Sequence, residues 1–168
     1  VPSGRGPLTI ALPDRHARVL ANHRAPFIDS LDGVNSRATD VLLVESDDLI
    51  RHALRWLLGS DRRECVAVAS AEDAQQLLAV NEPALVVTDL NLAGRWSGID
   101  LLTWMWRSSR LRSVPMLLMT GDNPDMARSL LSAAGLDHVE ILPKPFERVQ
   151  LKERLALLTG RAGPDRQP

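Results

Sequence analysis

The chain has 168 residues, a formal net charge of −1 and 45% hydrophobic residues. That is enough for one domain with a real core, and it leaves no global basic field to draw in nucleic acid or an anionic membrane. One cysteine excludes an internal disulfide, no apolar run nears the ~20 residues of a membrane span, and no charged-then-apolar leader opens the sequence, so a cytoplasmic protein with no nucleic-acid or membrane partner is expected.

Residues 1–40 differ from the rest. Pro2, Pro7, Pro13 and Pro26 interrupt them and no period is sustained, so they read as a mobile extension with at most a short helix at 17–21. His16 and His23 have no cysteine or clustered acids nearby and are not expected to bind metal.

Regular structure is predicted from Val41 onward. Val41, Leu42, Leu43 and Val44 form a buried strand that runs into Glu45, Ser46, Asp47 and Asp48. Ile50, Leu54, Leu57 and Leu58 recur at helical spacing, and Gly59 stops the helix. A second strand covers 65–69, with Cys65 as a buried thiol. Ser70 then caps a helix that has acids in its first turn and carries Ala74, Leu77 and Leu78 inward. The third strand, 85–89, opens on Leu85, Val86 and Val87 without alternation and ends on Asp89. Gly94, Ser97 and Gly98 mark a loop before a third helix, with Ile99, Leu102 and Trp106 on its apolar stripe. A fourth strand, 114–119, ends at Thr120 and Gly121. Asn123 caps the next helix with Pro124 at its first position, and Gly135 closes it. A short fifth strand, 139–142, ends at Pro143, Lys144 and Pro145. A last helix over 147–159 turns Leu151, Leu155 and Leu158 inward, and Gly160 ends it.

Five β-then-α units in alternation imply an α/β fold, a mostly parallel sheet covered on both faces. Such a sheet places the C-terminal ends of its strands along one edge, where ligands bind. That edge would carry Glu45, Asp89, Thr120 and Lys144. Alone, each has an ordinary reading: Asp89 starts a turn, Glu45 or Asp47 caps a helix, Lys144 is a solvated loop lysine. Together they are carboxylates, a hydroxyl and an ammonium at one rim. Carboxylates with a backbone carbonyl suit Mg²⁺, a carboxylate can attack phosphorus, and a hydroxyl and a lysine can hold phosphoryl oxygens.

On those residues the chain resembles the receiver domain of two-component response regulators. The resemblance spans about 41–159 and rests on five markers in order. These are the acids after the first strand, Asp89 after the third, Gly98, Thr120 with Gly121, and Lys144 with Pro145 and Phe146. It implies a doubly wound, five-stranded parallel sheet of flavodoxin-like (βα)5 type with strand order 2-1-3-4-5. It implies that Asp89 accepts the phosphoryl group, that Thr120 is the switch hydroxyl and that Lys144 binds phosphate. Mg²⁺ would be held by Glu45, Asp89 and the main-chain carbonyl of Asn91, with Ser46 or Asp47 as a further candidate. The implied partners are a sensor histidine kinase or histidine phosphotransfer protein and a downstream protein target. The expectation is a single-domain regulator with a tail at 160–168.

The sequence departs from the family pattern in several places. Ser46 stands where the second acid of a pair is usual, which predicts weaker Mg²⁺ binding. Ala93 replaces a proline, and the connection to Gly98 is one residue longer than the commonest form. Ile141 stands where an aromatic is frequent, and no effector domain is expected after the tail. The competing expectation is a pseudo-receiver, a protein-binding module of the same fold that takes no phosphoryl group. An enzyme acting on an external substrate is not expected. A phosphatase would want an acid where Asn91 stands, a serine hydrolase Gly-x-Ser-x-Gly, and a dinucleotide fold glycines after the first strand. Of the four tryptophans, Trp106 is expected in the core, while Trp56 falls off its helix stripe and is a candidate docking contact. Trp96 and Trp104 carry no assignment.

Overall fold

The computed structural model describes residues 39–59 and 63–160. The expectations for residues 1–38, including the helix at 17–21, and for the tail beyond Gly160 lie outside the described residues.

Five strands, β1 (Val41–Val44), β2 (Cys65–Val68), β3 (Leu85–Asp89), β4 (Met116–Thr120) and β5 (Glu140–Pro143), alternate with α1 (Asp48–Leu58), α2 (Ala71–Val80), α3 (Gly98–Arg107), α4 (Pro124–Ala133) and α5 (Arg148–Thr159). The strands form one sheet in the order β2-β1-β3-β4-β5, and every pairing is parallel. Both the class and the order are those expected.

Strand parity divides the core. Successive side chains leave a strand on opposite faces. Val41, Leu43, Leu85, Val87, Leu117 and Met119 pack with Leu54 and Leu58 of α1 and Leu151 and Leu155 of α5. Leu42, Val44, Val86, Met116 and Leu118 pack with the inward residues of α2, α3 and α4. This two-sided cover is why β1, β3 and β4 open on unbroken apolar runs rather than alternating, with polar residues only at the carboxyl ends of β3 and β4. The same parity puts Asp89 on the face of Leu85 and Val87, and Glu45 on that of Val41 and Leu43.

The helix starts follow local chemistry. Ser70 accepts the Asp73 N–H and Asn123 that of Asp125, with Pro124 opening α4. Gly135 and Gly160, at φ 72° and 63°, carry the chain away from α4 and α5. Three expectations are corrected. Trp106 is not in the core: α3 buries Leu101, Leu102 and Met105, and Trp106 lies 39% exposed, tilted by 37° against the His138 ring with centroids 4.1 Å apart. The stripe is rotated by about one residue because Gly98 itself is drawn under the sheet edge. Ile50 is largely exposed, and α1 is held by Leu54 and Leu58. Gly98 belongs to the first turn of α3, capped by Ser97, rather than to the loop before it.

Candidate functional site

The carboxyl ends of β1, β3, β4 and β5 meet at one edge, and Lys144 ties them together. Its Nζ lies 2.8 Å from Glu45 Oε2 and 2.9 Å from Asp89 Oδ1. Both carboxylates are buried, and Lys144 is 21% exposed along its side chain. The backbone fixes where that ammonium starts: Lys144 N–H donates to the Thr120 carbonyl at 2.6 Å, so β5 delivers its lysine beside the end of β4. Removing the shared cation would leave two buried carboxylates facing each other, at about 3–5 kcal/mol for an uncompensated buried charge.

The electrostatics follow from burial and this pairing. Desolvation holds the Asp89 carboxyl above its ordinary pKa, and the hydrogen bond and charge of Lys144 only partly pull it back. Desolvation works against the Lys144 ammonium too, but its bonds to Glu45 and Asp89 outweigh it and keep its pKa above the ordinary lysine value. Asp89 is therefore a relatively basic carboxylate beside a firmly cationic lysine.

The segment before α1 is pinned from below. Arg51 Nη1 donates to the carbonyls of Glu45 at 2.8 Å and Ser46 at 3.1 Å, and Arg51 pairs with Asp48. Glu45 Oε1 accepts the Asp47 N–H at 3.0 Å. Asp47 is engaged in one of the roles open to it: its carboxylate caps α1 by accepting the Ile50 N–H at 2.9 Å. It is drawn there because the first-turn amides of a helix are unpaired donors that favour an acid. Ser46 is half-buried and neutral. Among the described residues no group of three His, Cys, Asp or Glu side chains could hold a metal ion. The oxygen donors at the rim are two carboxylates and backbone carbonyls.

Gly98 explains how close the connection after β3 can come. Its N–H donates to the Leu90 carbonyl at 3.0 Å. A Cβ there would lie 3.0 Å from the Asp89 carbonyl carbon and deep inside contact distance of its oxygen. Asn91 turns its amide across the rim to Asp122 at 2.7 Å, and the Asp122 N–H donates to Thr120 Oγ1 at 3.0 Å. Thr120 is fully buried; with its oxygen accepting, its own proton remains to be donated. The structure thus gathers Glu45, Asp89, Thr120 and Lys144, with Asn91 beside them, and leaves Asp47 out. Arg51 and Asp122 were not anticipated. The only local signal for Arg51 was its spacing of three from Asp48, which puts them on one helix face.

The response regulator receiver domain profile matches residues 41–156. The two-component response regulator PhoP of Pseudomonas aeruginosa is 36% identical over 124 residues, 73% of this chain and 52% of that protein. The response regulator protein FleR of the same organism is 38% identical over 120 residues, 71% of this chain and 24% of that protein. The chain spans about half the length, or less, of these curated relatives. Among solved structures, the signal receiver domain of an HD domain-containing protein from Pseudomonas fluorescens Pf-5 superposes with a TM-score of 0.64 at 28% identity, covering 74% of this chain and 96% of that one. The receiver domain of the sensor histidine kinase PA1611 of P. aeruginosa, solved with magnesium in its active-site cleft, shares the fold: TM-score 0.65, 22% identity, 73% and 98% coverage. With a parallel sheet in the order β2-β1-β3-β4-β5, a lysine joining two buried carboxylates at its carboxyl edge, and a profile match over most of its length, this chain belongs to the response regulator receiver domain family.

Proposed function

We propose that this domain accepts a phosphoryl group on Asp89 and passes the change to a protein-binding face. The observation that carries this reading is the Lys144 ammonium bonded at once to Glu45 and Asp89, beside the buried hydroxyl of Thr120. An Asp89 oxygen attacks phosphorus. The bond from phosphorus to the donor's histidine nitrogen breaks, its electron pair leaving with that nitrogen, and an acyl phosphate forms on Asp89. Lys144 needs little movement to follow a phosphoryl oxygen, because it already touches the attacked carboxylate. Thr120 has a proton to donate to a second oxygen. The oxygen donors at the rim fit a hard dication: Glu45, Asp89 and the main-chain carbonyl of Asn91 would hold Mg²⁺. Bound there, it would neutralise charge on the phosphoryl oxygens. With Ser46 neutral and Asp47 capping α1, two carboxylates and no third face that position, and both are shared with Lys144.

The partner implied is a phosphohistidine-bearing protein, a sensor histidine kinase or phosphotransfer protein in the cytoplasm. Trp56 supports a docking role for α1: it is 73% exposed, with the Arg148 guanidinium 6.0 Å from its ring centroid, and Leu49 is exposed on the same helix. Aromatic and arginine side chains are those that anchor interfaces. The domain is read as a signalling module and not as an enzyme. No acid stands two residues after Asp89, and Asn91 there is engaged with Asp122.

A second reading, the pseudo-receiver, is favoured by one observation, the capping role of Asp47, which leaves the rim without a third acid. Intact mass separates the two. Incubated with acetyl phosphate and Mg²⁺, the wild type should gain one phosphoryl group and Asp89→Asn none. A wild type without adduct at any Mg²⁺ concentration selects the pseudo-receiver.

A further inference from the structure

The connection from Asp89 to α3 lacks the proline of the family pattern and is one residue longer, and a residue from another element holds its tip. Glu72, in the first turn of α2, accepts the Arg95 N–H on Oε1 at 3.3 Å. Gly94, at φ 117°, lies flat against the same carboxylate: a Cβ there would sit 3.2 Å from Oε2 and 3.5 Å from Oε1. Glycine thus supplies both the left-handed conformation and the room for this approach. Glu72 Oε2 is buried against the loop and, among the described residues, is a buried side-chain oxygen with no hydrogen-bond partner. Burying an acceptor without a partner is unfavourable, so a first-turn place on α2 does not by itself explain why Glu72 turns its carboxylate onto the loop. That helix start is already served by Ser70, which accepts the Asp73 N–H and donates to the Asp73 carboxylate. What offsets the buried oxygen is the α2 N-terminus, which favours negative charge, together with the contact to the loop.

The loop's other attachments lie elsewhere. Gly98 N–H to the Leu90 carbonyl and Ser97 N–H to the Asp100 carboxylate at 2.9 Å close its base, the Asn91 amide reaches Asp122, and Leu92 and Trp96 rest on the core. Apolar packing is non-directional; it holds the inner side but does not orient the backbone at the tip.

We propose that Glu72 is a positioning residue for phosphoryl acceptance at Asp89, fixing the backbone of residues 93–95 and, through it, the placement of Asn91 next to the acceptor. This rests on the receiver reading above. Glu72 acts through the loop and does not touch the phosphoryl group. Its removal therefore lowers the rate of a bound donor and leaves donor binding alone.

The test compares wild type, Glu72→Ala and Glu72→Gln by amide hydrogen exchange and by phosphorylation rate against acetyl phosphate concentration with Mg²⁺. Glu72→Ala should speed exchange of the Arg95 amide by about threefold to tenfold, the range expected for one net hydrogen bond. It should slow the maximal phosphorylation rate by a similar factor without moving the half-saturating donor concentration. Glu72→Gln should restore both, since its amide oxygen still accepts the Arg95 N–H. Unchanged exchange and rate in Glu72→Ala overturns the proposal. So does a slowed rate that Glu72→Gln fails to restore, or a slowed rate with the Arg95 amide still protected. A wild type that takes no phosphoryl group refutes the phosphoacceptor reading instead, and Arg95 exchange then decides alone whether Glu72 holds the loop.

Discussion

Replacing Gly98 with alanine tests whether the approach of α3 to Asp89 sets the site. The new methyl would meet the Asp89 carbonyl group, with its carbon at 3.0 Å and its oxygen closer still, and Leu118 Cδ1 at 3.2 Å. The Leu118 side chain can give a little; the Asp89 carbonyl cannot, because it is backbone at the end of a central strand paired on both sides. Relief requires α3 or the Asp89 backbone to move by about an ångström. Overpacking of this kind costs about 1–3 kcal/mol, and loosening the Gly98 N–H bond to Leu90 adds about 1 kcal/mol. The better helix propensity of alanine returns at most about 1 kcal/mol, so the clash wins and a net loss of about 1–4 kcal/mol is expected. Function should fall further, since an ångström of misplacement at a reacting group can cost about 100-fold in rate. Urea unfolding and intact-mass phosphorylation kinetics on the same two proteins measure both. A Gly98→Ala protein within about 0.5 kcal/mol of wild type, phosphorylated at the wild-type rate, would refute the reasoning.

Other outcomes follow from the same structure. Ser46→Asp puts a third carboxylate at the rim, so Mg²⁺ should bind more tightly while stability in chelator drops by about 1–3 kcal/mol; an unchanged Mg²⁺ titration by Trp fluorescence would argue against a metal site there. Asp47→Ala should cost about 1 kcal/mol through the lost α1 cap and leave Mg²⁺ affinity alone, which the same titration with a thermal melt checks. Burial pushes the Cys65 thiol from 9.0 up to about 11, against a smaller opposing pull from Arg55. The unfolded chain therefore loses this proton first: the contribution is intact below about pH 9 and declines by about 2–3 kcal/mol as pH rises through 11. Wild type and Cys65→Ala should accordingly diverge in urea unfolding across that window, and parallel curves would contradict the assignment. Ile141 is buried and aliphatic, with no ring to swing, so phosphorylation should change hydrogen exchange most over residues 120–131; a change confined to 141–151 would count against this.

Local chemistry made most of the fold legible. Apolar runs without alternation mark strands covered on both faces, and Ser70, Asn123 with Pro124, and Gly160 mark helix ends through interactions within a few residues. Those signals yield five β-then-α units, parallel pairing follows from the alternation, and the carboxyl edge of the sheet then collects Glu45, Asp89, Thr120 and Lys144. Strand order was legible only through the family resemblance, because no single segment encodes its neighbours.

Tertiary structure decided what depends on residues distant in sequence. Lys144 reaches Glu45 across 99 positions and Glu72 reaches Arg95 across 23, distances over which no periodicity carries information. Asp47 had two local roles open to it, and the unpaired first-turn amide of Ile50 took it for the cap. Trp106 sat on a plausible stripe. The rotation of α3 was set by the close seat of Gly98 under Asp89, which turned Met105 inward and left the indole to His138. Sequence by itself therefore determined which chemical groups stand at the ends of the strands. Only packing determined which of them face one another, because a side chain's direction is settled by the neighbours that exclude it or give it a partner.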